Sequence, residues 1–317
     1  MKILIGLEPR CLHTSMPWIL ARQFQAAGAE LHWVFGGETR IADHYTTNGD
    51  HLSYPTDKQH QTHAGKILFQ AGGSTLGWIS FAARLLRLKP VDYDLVLVQH
   101  GTAMARLFQL RQFRIVTLGS WIGDTRADSL SLPPIIDTHL RAHNVESPYT
   151  LVYLPGKSIQ DIEAMLERVE GRKFIVYSHD GQTRDHPNIS FRTFEHARFR
   201  QDLCGASAVI CRAEFGLVAE CLHMGIPLLV EPGQGKREQQ ETATALHKSG
   251  LVHSSRRLTP MLISLWLDST PRPAALRWPD VPQMIVDCVK DSSRAYESLH
   301  HSSVSLWDSL PIQLDEK

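Results

Sequence analysis

The 317-residue sequence predicts an α/β protein built as two similar domains, and three observations carry that expectation. Short apolar runs alternate with helical patterns along most of the chain, the signature of parallel strands joined by crossover helices. The alternation lapses over residues 124–147, where Pro133-Pro134 discourages both helix and strand, and restarts after Pro148. Hydrophobic residues at 43% and charged residues at 21% are globular values, so wholesale disorder is excluded.

The elements follow in order. Residues 2–5, 31–35, 95–98 and 115–118 are short, rich in Ile, Leu and Val, and read as buried strands. Residues 18–27, 74–89 and 104–111 read as helices between them. The segment 124–147 is taken as the linker, dividing the chain into domains of residues 1–145 and 146–317. In the second half, 150–154 is a strand, Ser158 caps a helix running to Val169, and 173–177 and 208–211 are strands. The helix 215–224 is stopped by Gly225 with Pro227 just beyond, the usual C-terminal punctuation. A strand at 228–231, a helix at 237–248 ended by Gly250, and a late helix at 281–299 complete the pattern. Ligands of such sheets sit beyond the carboxyl ends of the strands, here in a cleft that the two domains face.

Charge and cysteine usage narrow the class. The 33 basic and 33 acidic side chains cancel, unlike the basic footprint of a protein that coats nucleic acid. No apolar run approaches the roughly 20 residues that span a bilayer, and residues 1–6 form too short a stretch for a secretory signal. Five cysteines without a C-x-x-C spacing fit free thiols in a reducing compartment. A cytoplasmic protein is expected.

Several signatures fail. Pro155-Gly156-Lys157-Ser158 ends like a phosphate-binding loop, but the first glycine of that motif would fall at Leu151, inside a strand. Gly233-Gln-Gly235-Lys-Arg-Glu238 lacks the last glycine of a dinucleotide fingerprint. Asp92-Tyr-Asp94 has a D-x-D metal spacing but precedes its strand, which points it to the wrong sheet edge. His139 and His143 are spaced for one helix face, with no third ligand signalled. No metal and no bound cofactor is expected.

The informative region is 202–248. A strand leads through Cys211-Arg212 into the helix that opens at Phe215-Gly216, and a helix N-terminus offers free amides to a diphosphate. Glu220, further along that helix, suits a ribose diol. A second strand leads through Glu231-Pro232 to a glycine-containing loop and to Glu238-Gln239, whose side chains match sugar hydroxyls.

These residues resemble the nucleotide-sugar glycosyltransferases of the GT-B fold, in the branch of the peptidoglycan N-acetylglucosaminyltransferase. The likeness rests on Ala208-Val-Ile-Cys-Arg-Ala213, Glu220-Cys-Leu-His-Met-Gly-Ile-Pro227, Glu231-Pro232 and Glu238-Gln239. It implies two Rossmann-like domains facing a cleft, with a UDP-type donor in the second. Arg212, Phe215, Gly216, Glu220, Glu238 and Gln239 would bind that donor, Glu220 through its ribose and Glu238-Gln239 through the transferred sugar. Transfer would be inverting and metal-independent, to an acceptor that the resemblance does not identify, a lipid-linked molecule and a glycan being the candidates. Three positions depart from the pattern: Glu214 stands where Gly is usual, Thr242 where Asn is usual, and the loop 7–17 lacks glycines. An epimerase or hydrolase of nucleotide sugars, or a non-catalytic binding protein, are the alternatives on the same fold.

Two features of the first half complete the expectations. His13 follows the first strand, where related enzymes keep a general base, and Asp124 would orient it. The helix 74–89 has two readings. Trp78, Phe81 and Leu85 with Arg84, Arg87 and Lys89 would make a basic face resting on an anionic membrane, or the same apolar period faces the core, which is favoured.

Overall fold

The computed structural model describes residues 1–7, 16–36, 46–48, 51–57, 60–70, 75–99, 103–111, 113, 115–118, 130–143, 148–178, 184–235, 237–290, 298–299 and 301–302. These fall into two units. The described residues of Met1–Asp137 and Trp278–Pro311 form the first, and those of Thr138–Arg277 the second.

Strand β1 (Lys2–Leu7) is buried along nearly its whole length, because a central parallel strand is covered on both faces. Its side chains alternate accordingly. Ile3, Ile5 and Leu7 join one core cluster with Leu20 and Phe24 of α1 (Met16–Ala26), whereas Leu4 joins another with Phe81, Met104 and Phe108. Gly6 lies on that second face, where a Cβ would come within 3.0 Å of the Met104 sulfur. The unit continues with β2 (Glu30–Phe35), β3 (Thr46–Asn48), β4 (His51–Asp57), β5 (His60–Gln70), α2 (Thr75–Leu85), β6 (Leu95–Gln99), α3 (Ala103–Leu110), β7 (Ile115–Leu118) and β8 (Leu130–Ser131). The sheet order is β3-β4-β5-β2-β1-β6-β7-β8, with the β3/β4 and β4/β5 pairings antiparallel and the others parallel.

The second unit holds β9 (Thr150–Tyr153), α4 (Ile159–Leu166), β10 (Phe174–Ser178), β11 (Arg184–His186), β12 (Ile189–Thr193), α5 (His196–Gly205), β13 (Ala208–Cys211), α6 (Phe215–Met224), β14 (Leu228–Val230), α7 (Arg237–Lys248), β15 (His253–Ser254) and α8 (Pro260–Ser269). Its sheet runs β11-β12-β10-β9-β13-β14-β15 and is parallel except for the β11/β12 hairpin. One face buries Val152, Phe174, Val176 and Ile210 against α4 and α8. On the other, Tyr153, Tyr177, Phe194 and Phe199 form a ring cluster with centroids 5.0–6.1 Å apart. Ser158 caps α4, its hydroxyl accepting from the Asp161 N–H at 3.1 Å, which is the role expected for it in place of a phosphate loop.

Two expectations change, the linker and the place of the last helix, and two readings left open by the sequence are decided. The stretch taken as linker contributes β8 to the first sheet, and Leu132 and Ile135 just beyond it are buried in the first core. Consecutive prolines exclude a helix but not an extended chain at a sheet edge, where a missing N–H costs little. The C-terminal helix α9 (Val281–Lys290), placed by chain order with the second domain, instead buries Val281, Ile285, Val286 and Val289 in the first unit's core. Residues 139–143 are not helical, so His139 and His143 share no helix face. Finally, α2 turns Phe81 and Leu85 into the core, each about fully buried, so those two residues are not available to a membrane surface. Among the described residues no helix is long and apolar enough to cross a membrane.

Candidate functional site

The register of the second sheet brings three loops together. Tyr153 of β9 aligns with Cys211 of β13, and Cys211 with Val230 of β14. The residues that follow each of them therefore leave the sheet side by side at its carboxyl edge, where parallel α/β sheets bind ligands.

Glu231, the first residue after β14, is 5% exposed. Its carboxylate accepts from Lys157 Nζ at 2.9 and 3.0 Å, from Arg212 Nη1 at 2.9 Å, and from the Leu258 N–H at 3.1 Å. Arg212 also donates to the carbonyls of Glu231 at 3.1 Å and Pro155 at 3.4 Å. Lys157 reaches this point because the chain reverses after β9: Gly156 adopts φ +82°, a left-handed conformation that favours glycine, and the Lys157 N–H closes the turn on the Leu154 carbonyl at 3.1 Å. One buried carboxylate thus ties the three loops.

The loop after β14 is held a second time. The Gln239 side chain, from the first turn of α7, accepts from the Gly233 N–H at 2.8 Å. The acceptor end of the amide is thereby fixed, and its NH2 group has no protein partner among the described residues.

Helix α6 carries the remaining candidates. Phe215 and Gly216 form its first turn, behind Glu214 at the N-cap, whose side chain makes no capping hydrogen bond. The negative charge of Glu214 is felt nearby: burial first, then Glu214, pushes the Tyr153 phenol and the Cys211 thiol well above their ordinary ranges, with Arg212 partly opposing the shift at Cys211. Cys221 is likewise raised by burial, so both thiols are held protonated and unreactive. Glu220 is 5% exposed on a helix buried from Leu217 to Met224, so it is not a solvated helix glutamate. The helix ends at Gly225 with φ +64°, where a Cβ would lie 2.8 Å from the Pro273 carbonyl.

Of the expected site residues, Arg212, Phe215, Gly216, Glu220 and Gln239 thus follow strands or line α6 and α7 in the second unit. The Glu238 side chain, His13 and Asp124 lie outside the described residues. Sequence reasoning assigned no role to Lys157 and Glu231. Both stood in quoted motifs, but nothing in either motif signals that a lysine at 157 meets a carboxylate at 231. Asp94 sits at the amino edge of the first sheet, accepting from the Lys2 backbone N–H at 2.6 Å, as its place before β6 implies. Among the described residues no cluster could hold a metal ion.

Two α/β units, each built on a mainly parallel sheet, define a GT-B fold of two Rossmann-like domains. The chain belongs to glycosyl transferase family 1, whose family model matches residues 111–271. No curated protein matches the sequence. Among solved structures it is similar to MurG of Acinetobacter baumannii, at 12% identity and TM-score 0.53, covering 92% of this chain and 99% of that one. A putative UDP-N-acetylglucosamine 2-epimerase from Listeria monocytogenes matches at 12% identity and TM-score 0.60, covering 93% and 96%. The glycosyltransferase VinC, solved in complex with DTDP, matches at 13% identity and TM-score 0.54, covering 98% and 96%. These likenesses are of fold.

Proposed function

We propose that the protein moves a sugar from a nucleoside-diphosphate donor of the UDP type to an acceptor hydroxyl, with inversion and without a metal ion. The observation that carries this reading is the carboxyl edge of the second sheet. There, Arg212 stands on a loop that the strand register holds beside β14, and Gln239, in the first turn of α7, keeps an NH2 group without a protein partner among the described residues; both lie inside the region matched by the family model.

In the reaction, the acceptor oxygen attacks the anomeric carbon while its proton passes to a base, and the bond from that carbon to the diphosphate oxygen breaks. The bonding electrons leave with the diphosphate, so negative charge grows on its oxygens and must be met by fixed donors. The amides of Phe215 and Gly216 at the start of α6, together with Arg212, suit that charge. Glu220 would accept from the ribose hydroxyls, and Glu238 and Gln239 would hold the transferred sugar. His13 is the proposed base, oriented by Asp124. The acceptor is proposed as a lipid-linked sugar or a glycan.

The test is turnover of UDP-sugars and dTDP-sugars with and without candidate acceptors, dTDP being included because VinC is solved with it. Transfer that requires an acceptor supports the reading. Turnover in water alone makes the protein a hydrolase or epimerase, and binding without turnover makes it a non-catalytic member of the fold.

A further inference from the structure

A carboxylate beside the diphosphate of a donor would be a liability, and Glu231 stands at the sheet edge proposed for that donor. Glu231 is buried at the end of β14, and Lys157 and Arg212 both turn their cationic heads to it. Withdrawing three charges from water is costly, and well-packed apolar side chains of like volume would serve stability at least as well. The cluster lies where the ligand edge of the sheet is, joined to no other charged group recorded for Lys157, Arg212 or Glu231 among the described residues. Its bonding is also incomplete in one specific way. Lys157 uses two contacts on Glu231, and Arg212 uses Nη1 and Nε, which leaves one Nζ–H and the Nη2 group of Arg212 without a protein partner among the described residues. The Lys157 and Arg212 side chains are 19% and 11% exposed, enough to be reached by a ligand but not to roam.

We infer that Glu231 is a positioning residue, which holds Lys157 and Arg212 with their spare donors aimed at the phosphate oxygens of the donor nucleotide. This rests on the donor-site reading and adds two residues to it. The carboxylate neutralises one of the two positive charges, so the pair presents a net single charge with fixed geometry rather than two mobile cations. Two donor groups from separate loops, held in place before the ligand arrives, match the separated oxygens of a diphosphate.

The sign of one substitution decides the matter. If charge alone governed, Glu231→Gln would remove a repelling carboxylate and tighten nucleotide binding. If Glu231 positions the cations, the same change weakens it, because a carboxamide accepts with one oxygen only. The full-length protein is titrated by calorimetry with UDP and uridine, and with dTDP and thymidine. Lys157→Met is expected to weaken the diphosphate roughly 10- to 100-fold, with the nucleoside unchanged and the salt dependence of binding reduced. Lys157→Arg is expected to recover part of that loss. Glu231→Gln is expected to weaken the diphosphate several-fold. Where Glu231→Gln does not fold, Lys157→Met, which leaves the Arg212–Glu231 pair intact, carries the test. Diphosphate affinity unchanged in Lys157→Met, or tightened in Glu231→Gln, overturns the inference while leaving the donor site standing. A wild-type protein that binds neither nucleotide overturns the donor-site reading itself.

Discussion

The side chain of Gln239 accepts a hydrogen bond from the Gly233 N–H at 2.8 Å, so a residue expected to touch the donor sugar also closes the loop after β14. The loop uses the amide oxygen, and the proposed sugar contact would use the nitrogen.

Substitution separates them. Gln239→Glu keeps an acceptor for Gly233 and loses the NH2 donor; Gln239→Ala loses both. Gln239→Glu is expected to melt close to wild type yet lose roughly 10-fold in donor kcat/KM, about 1.4 kcal/mol. Gln239→Ala is expected to lower the melting temperature as well. Steady-state kinetics beside thermal melts read both, and unchanged kcat/KM in Gln239→Glu would remove the amide from the sugar site.

Glu220 is buried on α6, and a charged acceptor lost from a ribose costs about 1.5–3 kcal/mol. Glu220→Ala is therefore expected to weaken UDP roughly 10- to 100-fold and to leave uracil, which has no ribose, unaffected. Equal UDP affinities in equally folded proteins would contradict the ribose assignment.

His13→Ala is expected to reduce transfer by roughly 10² to 10⁴ while donor affinity barely moves, since a base acts on the acceptor proton and not on the nucleotide. Asp124→Asn should give a smaller loss in the same rate. Near-normal transfer in a folded His13→Ala protein would place the base elsewhere.

Metal independence predicts full nucleotide binding and transfer in excess chelator. It also predicts that Asp92→Asn and Asp94→Asn leave both unchanged, because Asp94 is committed to the Lys2 N–H at the amino edge of the first sheet. Activity lost to chelator and restored by magnesium or manganese would refute this.

His223 supplies a pH prediction. It is 7% exposed, its Nε2 lies 3.1 Å from the Thr138 carbonyl, and its Nδ1 is buried without a partner among the described residues. Burial first, with Arg141 and Arg277 assisting, lowers its folded pKa below the ordinary 6.5. As pH falls through 6.5, the unfolded chain takes up the proton before the folded one does, so stability declines. The decline should level off once the folded-state pKa is also passed. Melting temperatures of wild type and His223→Gln should therefore converge or cross on acidification from about pH 8 to about pH 5, wild type falling more steeply. Parallel curves would show that His223 does not drive the dependence.

The parallel core of both units was legible because a buried central strand is a short apolar run: residues 115–118 and 208–211 are recognised from composition alone and match β7 and β13. Helix ends were legible where a local device marks them, as with Ser158 before α4 and Gly225 after α6. The same kind of signal stood unread before α8, where Thr259 caps the helix through the Leu262 N–H and Pro260 occupies its first turn. The antiparallel additions were not legible. β4 and β5 carry histidines, threonines and glutamines with no clean alternation, and β11 is only three residues long.

Sequence by itself determined the α/β class and the order of the principal strands and helices, since each depends on periodicity and caps within a few residues. Tertiary structure decided what meets what. Lys157, Arg212 and Glu231 are separated by 55 and 19 positions in the chain, and only the order β9-β13-β14 places their loops together. Likewise, the apolar stripe of α9 says that the helix must be covered, and the packing of Val281 and Ile285 against the first core decides by what. A hydrophobic face is non-directional, so its pattern specifies burial without specifying the partner. The partner follows from which strands pair, and parallel pairing joins segments that no local signal connects.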